Sequence, residues 1–222
     1  MAIDLLHGLR GDLGMRRIGS GMARLDDHWA KSGRLDPKHP DAAGLLCYIA
    51  QWVDAGWRDV DVVQDGLCGF PKGRRIGLSL LDYAYVLMAE GMIWVAEENV
   101  ERALANFNLV LSLRAEIADS VVLALAHFWS SRCNRKAGEY DNAEHHAAEG
   151  YRYAAEAGME PMAAAMRVAE SWLMFQKGRL KEALKMLGEA DAVLRETDDF
   201  ITRGNIQSSY GRMYRREGRY DL

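Results

Sequence analysis

The stretch Asn134 to Ala147, NRKAGEYDNAEHHA, returns in outline at intervals of 40 residues. Gly138, Gly178 and Gly218 occupy one phase of this period, and Tyr140, Leu180 and Tyr220 follow two residues later. Ala143 recurs as Ala183 and, one period upstream, as Ala103. A chain that repeats one supersecondary unit at fixed spacing buries the apolar face of each unit against its neighbours, so the period constrains the fold to a continuous stack.

The units are helical. Only four prolines interrupt a chain rich in Ala, Leu, Met, Glu and Arg, all good helix formers. Residues 1–35 carry many glycines and few apolar residues, which predicts a weakly helical N-terminal segment. Residues 36–76 read as a degenerate helical hairpin: a turn at Asp36-Pro37 and His39-Pro40-Asp41, a helix from Ala42 to about Asp54, and a shorter one from Trp57 to Leu67 with Val60, Val63 and Leu67 on one side. Gly69 with Pro71 ends it. From residue 77 to 222 the spacing predicts helices over Gly77 to Val95, Val100 to Ala118, Val121 to Lys136, Tyr140 to Ala157, Met162 to Lys177, Leu180 to Glu196 and Ile201 to Arg216. That makes three full units and a truncated fourth. The interrupted last unit leads us to expect a piece of a longer polypeptide, or a second copy that covers the open end.

Composition narrows the function classes. A net charge of −4 supplies no overall basic field, which argues against nucleic-acid binding by the chain as a whole. The N-terminus, MAIDLLHGLRGD, lacks the long apolar run of a secretory signal, and no stretch approaches the roughly 18 apolar residues of a membrane span. Cys47, Cys68 and Cys133 form no CxxC pair and read as buried, reduced thiols of a cytoplasmic protein. The run Gly19-Ser20-Gly21-Met22-Ala23-Arg24 lacks the third glycine and the preceding strand of a dinucleotide cradle, and Gly66 to Arg75 lacks the ending of a phosphate-binding loop. His145 and Glu149 share one helix face without a third metal ligand, His127 beside Phe128 and Trp129 reads as a packed histidine, and Asp26-Asp27-His28 has no nucleophile near it in sequence. We therefore expect no catalytic residue, no cofactor and no metal.

The Gly138-x-Tyr140-x-x-Ala143, Gly178-x-Leu180-x-x-Ala183 and Gly218-x-Tyr220 patterns resemble the tetratricopeptide repeat. Its other signature positions are filled by small residues seven before the glycine (Gly91, Ser131, Ser171, Gly211) and by Trp94, Asn134, Met174 and Tyr214 four before it. Small residues at a helix crossing let two backbones approach, with the alanine of the second helix opposite. Glu98 stands where the first unit should turn on glycine, Asn134 where bulk is usual, and Leu87, His127, Arg167 and Gln207 where the family has its early tryptophan. The period is also longer than the family's usual length of about 34. The divergence is similar to that of repeats attached to bacterial signalling and transcription proteins.

The resemblance implies an all-α, right-handed α-solenoid of antiparallel helical hairpins whose first helices line a concave surface. Six, three and two residues before each turn position, that surface reads Met92, Val95 and Ala96; Arg132, Arg135 and Lys136; Trp172, Phe175 and Gln176; Arg212, Arg215 and Arg216. Basic and apolar units alternate, which suits an acidic protein or peptide partner with bulky apolar groups. Two assignments stay open for Met92, Trp172 and Phe175, groove wall or core, and the arginines have a plain solvated alternative. The expected function is a protein-interaction or scaffold module for a peptide, a protein segment or a small effector, without catalysis. A self-assembling module that stacks through its C-terminal unit as a homodimer is the rival, and an enzyme with its site in residues 1–75 is a second.

Overall fold

A computed structural model describes residues 29, 31, 35–40, 42–51, 53–54, 59–71, 76–195 and 200–219. The expectations for residues 1–28, Trp52, Trp57, the Asp198-Asp199 helix start and Tyr220 lie outside the described residues. Among those residues the fold is all-helical, without a strand. The helices are α1 (Ala42–Ala50), α2 (Val60–Leu67), α3 (Leu80–Ala96), α4 (Val100–Ser112), the single turn α5 (Arg114–Ile117), α6 (Ser120–Ala137), α7 (Tyr140–Glu156), α8 (Glu160–Gln176), α9 (Leu180–Leu194) and α10 (Phe200–Arg216). No described helix is long and apolar enough to cross a membrane.

The 40-residue period of the sequence is a period of backbone geometry. Glu98, Gly138, Gly178 and Gly218 all take positive φ, at 60°, 81°, 79° and 76°. At each one the next residue's N–H reaches back to a carbonyl five residues earlier: Asn99 to Trp94 at 2.8 Å, Glu139 to Asn134 at 2.9 Å, Arg179 to Met174 at 2.9 Å and Arg219 to Tyr214 at 3.0 Å. The left-handed residue's own N–H donates to the carbonyl three before it, which completes a Schellman turn in every unit. Helix starts are also specified locally. Ser79 Oγ accepts from Asp82 N–H at 3.0 Å, Asn99 Oδ1 from Arg102 N–H at 3.1 Å, and Asp119 Oδ1 from Val121 and Val122 N–H at 3.0 and 2.9 Å.

Burial repeats with the same period. The second helices bury Ala103, Phe107 and Val110 on α4, Ala143, Ala147, Gly150 and Ala154 on α7, and Ala183, Leu187, Ala190 and Leu194 on α9. Opposite them stand the small residues of the first helices. A Cβ on Gly91 would lie 2.4 Å from Phe107 Cε1, so the smallest residue of the set faces the largest. Ser131 donates its hydroxyl to the carbonyl of Ala143 at 2.8 Å and thereby fastens the α6–α7 hairpin through the crossing itself. The single turn α5 packs on α3 and α4; each other helix packs on the helices next to it in the chain, with further contacts of α1 on α3, α3 on α6, α6 on α8 and α8 on α10. One apolar cluster runs from α1 to the α8 residues Met162 and Met166; a second joins Val168 and Phe175 of α8 to α9 and α10. Helix α8 therefore serves both.

Four expectations are corrected. The second helix of the first unit breaks at Leu113, because position 114 holds an exposed Arg where Ala154 and Leu194 anchor the last turn in later units. Helix α8 starts at Glu160 with Pro161 inside its first turn, where the missing N–H is not needed. Helix α1 stops at Ala50, and Gln51, Val53 and Asp54 continue as turn. Cys47 and Cys133 are buried as expected, whereas Cys68 is exposed: it is the C-cap of α2, and the core contacts there are made by Leu67 and Phe70 on either side of it.

Candidate functional site

Helices α6, α8 and α10 line an open cavity of about 310 Å³, near the lower end of small-ligand sites. Its lining follows the repeat phase. The positions six before each turn, Arg132, Trp172 and Arg212, all face it, and so do Phe128, Val168 and Ser208, ten before. Of the positions three before the turn only Arg135 contributes, and of those two before it none. Helix α10 adds a polar stripe, Thr202, Asn205 and Ser209, which continues to Arg212 at helical spacing.

The three arginines differ in their surroundings. Arg132 pairs with the carboxylate of Asp54, which also has Lys136 Nζ 4.0 Å from its other oxygen. Its guanidinium lies 5.3 Å from the centre of the Trp129 ring, and its Nε is buried without a hydrogen-bond partner. Arg135 stacks on Trp172 of the next unit, with its guanidinium carbon 5.0 Å from the ring centre. Burial, followed by the charges of Arg132 and Arg212, pushes the Arg135 pKa down to about 10. Arg212 is exposed, and no carboxylate pairs with it or with Arg135 among the described residues. Among the described residues no acidic side chain lines the cavity.

The structure thus brings together Arg132, Arg135, Trp172 and Arg212 out of the eight residues singled out from the sequence. Lys136 sits on the rim through Asp54. Phe175 is buried, at 9% exposure, in the α8–α10 cluster with Ala183 and Leu187, and Arg216 caps its ring at 5.1 Å. Arg215 is exposed and lies away from the cavity. Met92 and Val95 are core, because α1 and α2 pack on α3 and cover them. Asp54 was not singled out, and no local pattern marks a residue at the end of the first helix as the counter-ion of one 78 positions on. The α10 stripe did carry a signal, since residues 202, 205, 209 and 212 recur at the spacing of one helix face.

A second polar cluster closes the α6–α7 hairpin. His127 is 7% exposed, and its Nδ1 lies 3.0 Å from His146 Nδ1. One ring must donate and the other accept, so at least one is neutral. Its ring also stacks on Tyr153 at 5.5 Å. Burial first, and then the charge of His146, pushes the His127 pKa down to about 4, while burial lowers that of His146. His127 is a packed histidine, as its apolar neighbours in sequence suggested. Among the described residues no three His, Cys, Asp or Glu side chains converge as a metal site would require. A further cavity of about 260 Å³ lies between α2 and α3, with apolar walls from Leu67, Phe70, Val86, Ile93 and Trp94.

Comparison of the chain with protein-family models, curated proteins and solved structures found no match in any of the three.

Proposed function

We propose that the chain is a right-handed stack of tetratricopeptide-like hairpins that binds a peptide, a protein segment or a small effector on the wall formed by its first helices. In this reading it is a scaffold or regulatory module that acts by binding and not by catalysis. The observation that carries it is the common phase of Arg132, Trp172 and Arg212, which come from three successive units and face one cavity. A surface assembled from equivalent positions of stacked units is how repeat proteins build extended binding sites. Aromatic and arginine side chains are also the residue types that anchor interfaces. The Schellman turns at 40-residue intervals support the stack, since they give every hairpin the same entry and exit.

Selection of peptides from a display library, followed by mapping of amide shifts on the full chain, tests this reading. The expected shifts fall on α6, α8 and α10, and Trp172→Ala and Arg212→Glu each weaken the selected peptides about tenfold or more, as loss of an interface anchor does. Peptides that map to α7 and α9, or that bind both variants as tightly as the parent, would overturn it.

A further inference from the structure

We infer that the cavity between α6, α8 and α10 receives carboxylates of an acidic peptide segment on Arg135 and Arg212, and that Asp54 competes with that segment for Arg132. This rests on the binding-module reading above and names the chemistry of its ligand.

Four observations converge. First, the cavity gathers three guanidinium groups and, among the described residues, no acidic lining residue, so Arg135 and Arg212 have no carboxylate partner there. Half-burying an unpaired cation is unfavourable, and an incoming anion relieves it. Burial lowers the Arg135 pKa, and the charges of Arg132 and Arg212 lower it further. Second, a carboxylate of the chain itself already reaches this edge and is held there: Asp54 is gripped by Arg132 with Lys136 beside it. The site therefore demonstrates on its own chain the group it recognises. Third, Arg135 is fixed before any ligand arrives. Its guanidinium carbon lies over the Trp172 ring, and that ring meets Tyr140 at 65° with ring centres 5.7 Å apart. A guanidinium held over a ring keeps N–H donors for a carboxylate and gives up less side-chain freedom on binding. Fourth, Phe128, Val168 and the Trp172 ring supply apolar wall between the charges. An anchor that alternates cation and apolar surface across three units matches a segment with acidic and apolar side chains in succession better than an isolated anion.

Fluorescence anisotropy on the full chain tests the inference with a labelled peptide of alternating glutamate and leucine, the same peptide with glutamine for glutamate, and sodium succinate as competitor. The glutamate peptide is expected to bind, with the glutamine peptide, Arg135→Gln and Arg212→Gln each about tenfold weaker, the loss typical of one charge-assisted hydrogen bond. Asp54→Asn moves the other way and tightens binding several-fold, a gain that misfolding does not imitate. Equal binding of the two peptides, lost in Trp172→Ala, would overturn the carboxylate inference and leave the binding-module reading standing. Asp54→Asn weaker than the parent would overturn the competition. Succinate displacing the peptide at equal concentration would overturn a peptide source in favour of a small dicarboxylate. Failure of both peptides to bind, while library peptides map to the same wall, would overturn the inference alone.

Discussion

Glu98 occupies the left-handed backbone position that glycine holds at residues 138, 178 and 218. A side chain there crowds the carbonyl at a cost of about 1–2 kcal/mol, partly offset because glycine loses more freedom on folding. Glu98→Gly is therefore expected to stabilise the chain by about 0.5–1 kcal/mol. Gly138→Ala is expected to destabilise it by about 1 kcal/mol through backbone strain alone, since an added Cβ meets nothing within 4 Å. Urea unfolding midpoints of the two variants check both signs. The His127–His146 contact sets a pH window. Both imidazoles have lowered pKa values in the folded chain, so the unfolded chain binds the extra protons and stability rises with pH. The contribution is complete above the ordinary imidazole value of about 6.5 and is lost as pH falls toward that of folded His127, about 4. Glu149 opposes this shift, while His145 and Arg152 add to it. Between pH 7 and pH 5 the folded chain should lose on the order of 2 kcal/mol through His127. The same titration on His127→Gln should be flatter by about that amount.

Among the elements, the crossing of α3 and α4 is the most demanding. Alanine is favoured over glycine in a helix by about 1 kcal/mol, so an unhindered Gly91→Ala would stabilise. Here the new methyl would meet the fully buried Phe107 ring at 2.4 Å, and overpacking of that kind costs about 1–3 kcal/mol. Clash outweighs propensity, and Gly91→Ala is expected to destabilise. Combined with Phe107→Leu, which imports the Leu187 solution of a later unit, it should cost less than the two single changes added together by at least about 0.5 kcal/mol. Additive effects in a double-mutant cycle would contradict the facing pair. The helix ends show why some boundaries were readable and others were not. Gly138 and Gly178 announce a left-handed cap by residue type, whereas Glu98 performs the same turn without the signal and was placed only by the period. The break at Leu113 depends on what position 114 fails to bury, a tertiary fact that helix-forming residues on both sides conceal.

Across the whole molecule, the phase of the repeat was the readable quantity and depth was not. The resemblance to tetratricopeptide repeats, counted from the turn glycines, puts Arg132, Trp172 and Arg212 on one wall, and they line one cavity. Phe175 and Met92 share the same arithmetic, yet they are core, because the number of neighbours above a given wall position differs from unit to unit. The Asp54 pairing was unreadable for the opposite reason, since it joins the segment after α1 to α6 outside any period. The central claim is that the hairpins from α3 onward are equivalent units sharing one seam, so that a unit can be removed in register. Excision of residues 139–178, one full period, joins Gly138 to Arg179 and presents the α9 seam of Ala183 and Leu187 to Ser131 on α6. The measurement is cooperative unfolding of that deletion followed by circular dichroism, beside a half-period deletion of residues 159–178. The account predicts a helical, cooperatively unfolding product from the first, with a lower midpoint than the parent, and loss of cooperativity in the second. Equal collapse of both deletions would show a bundle closed on itself and would contradict it.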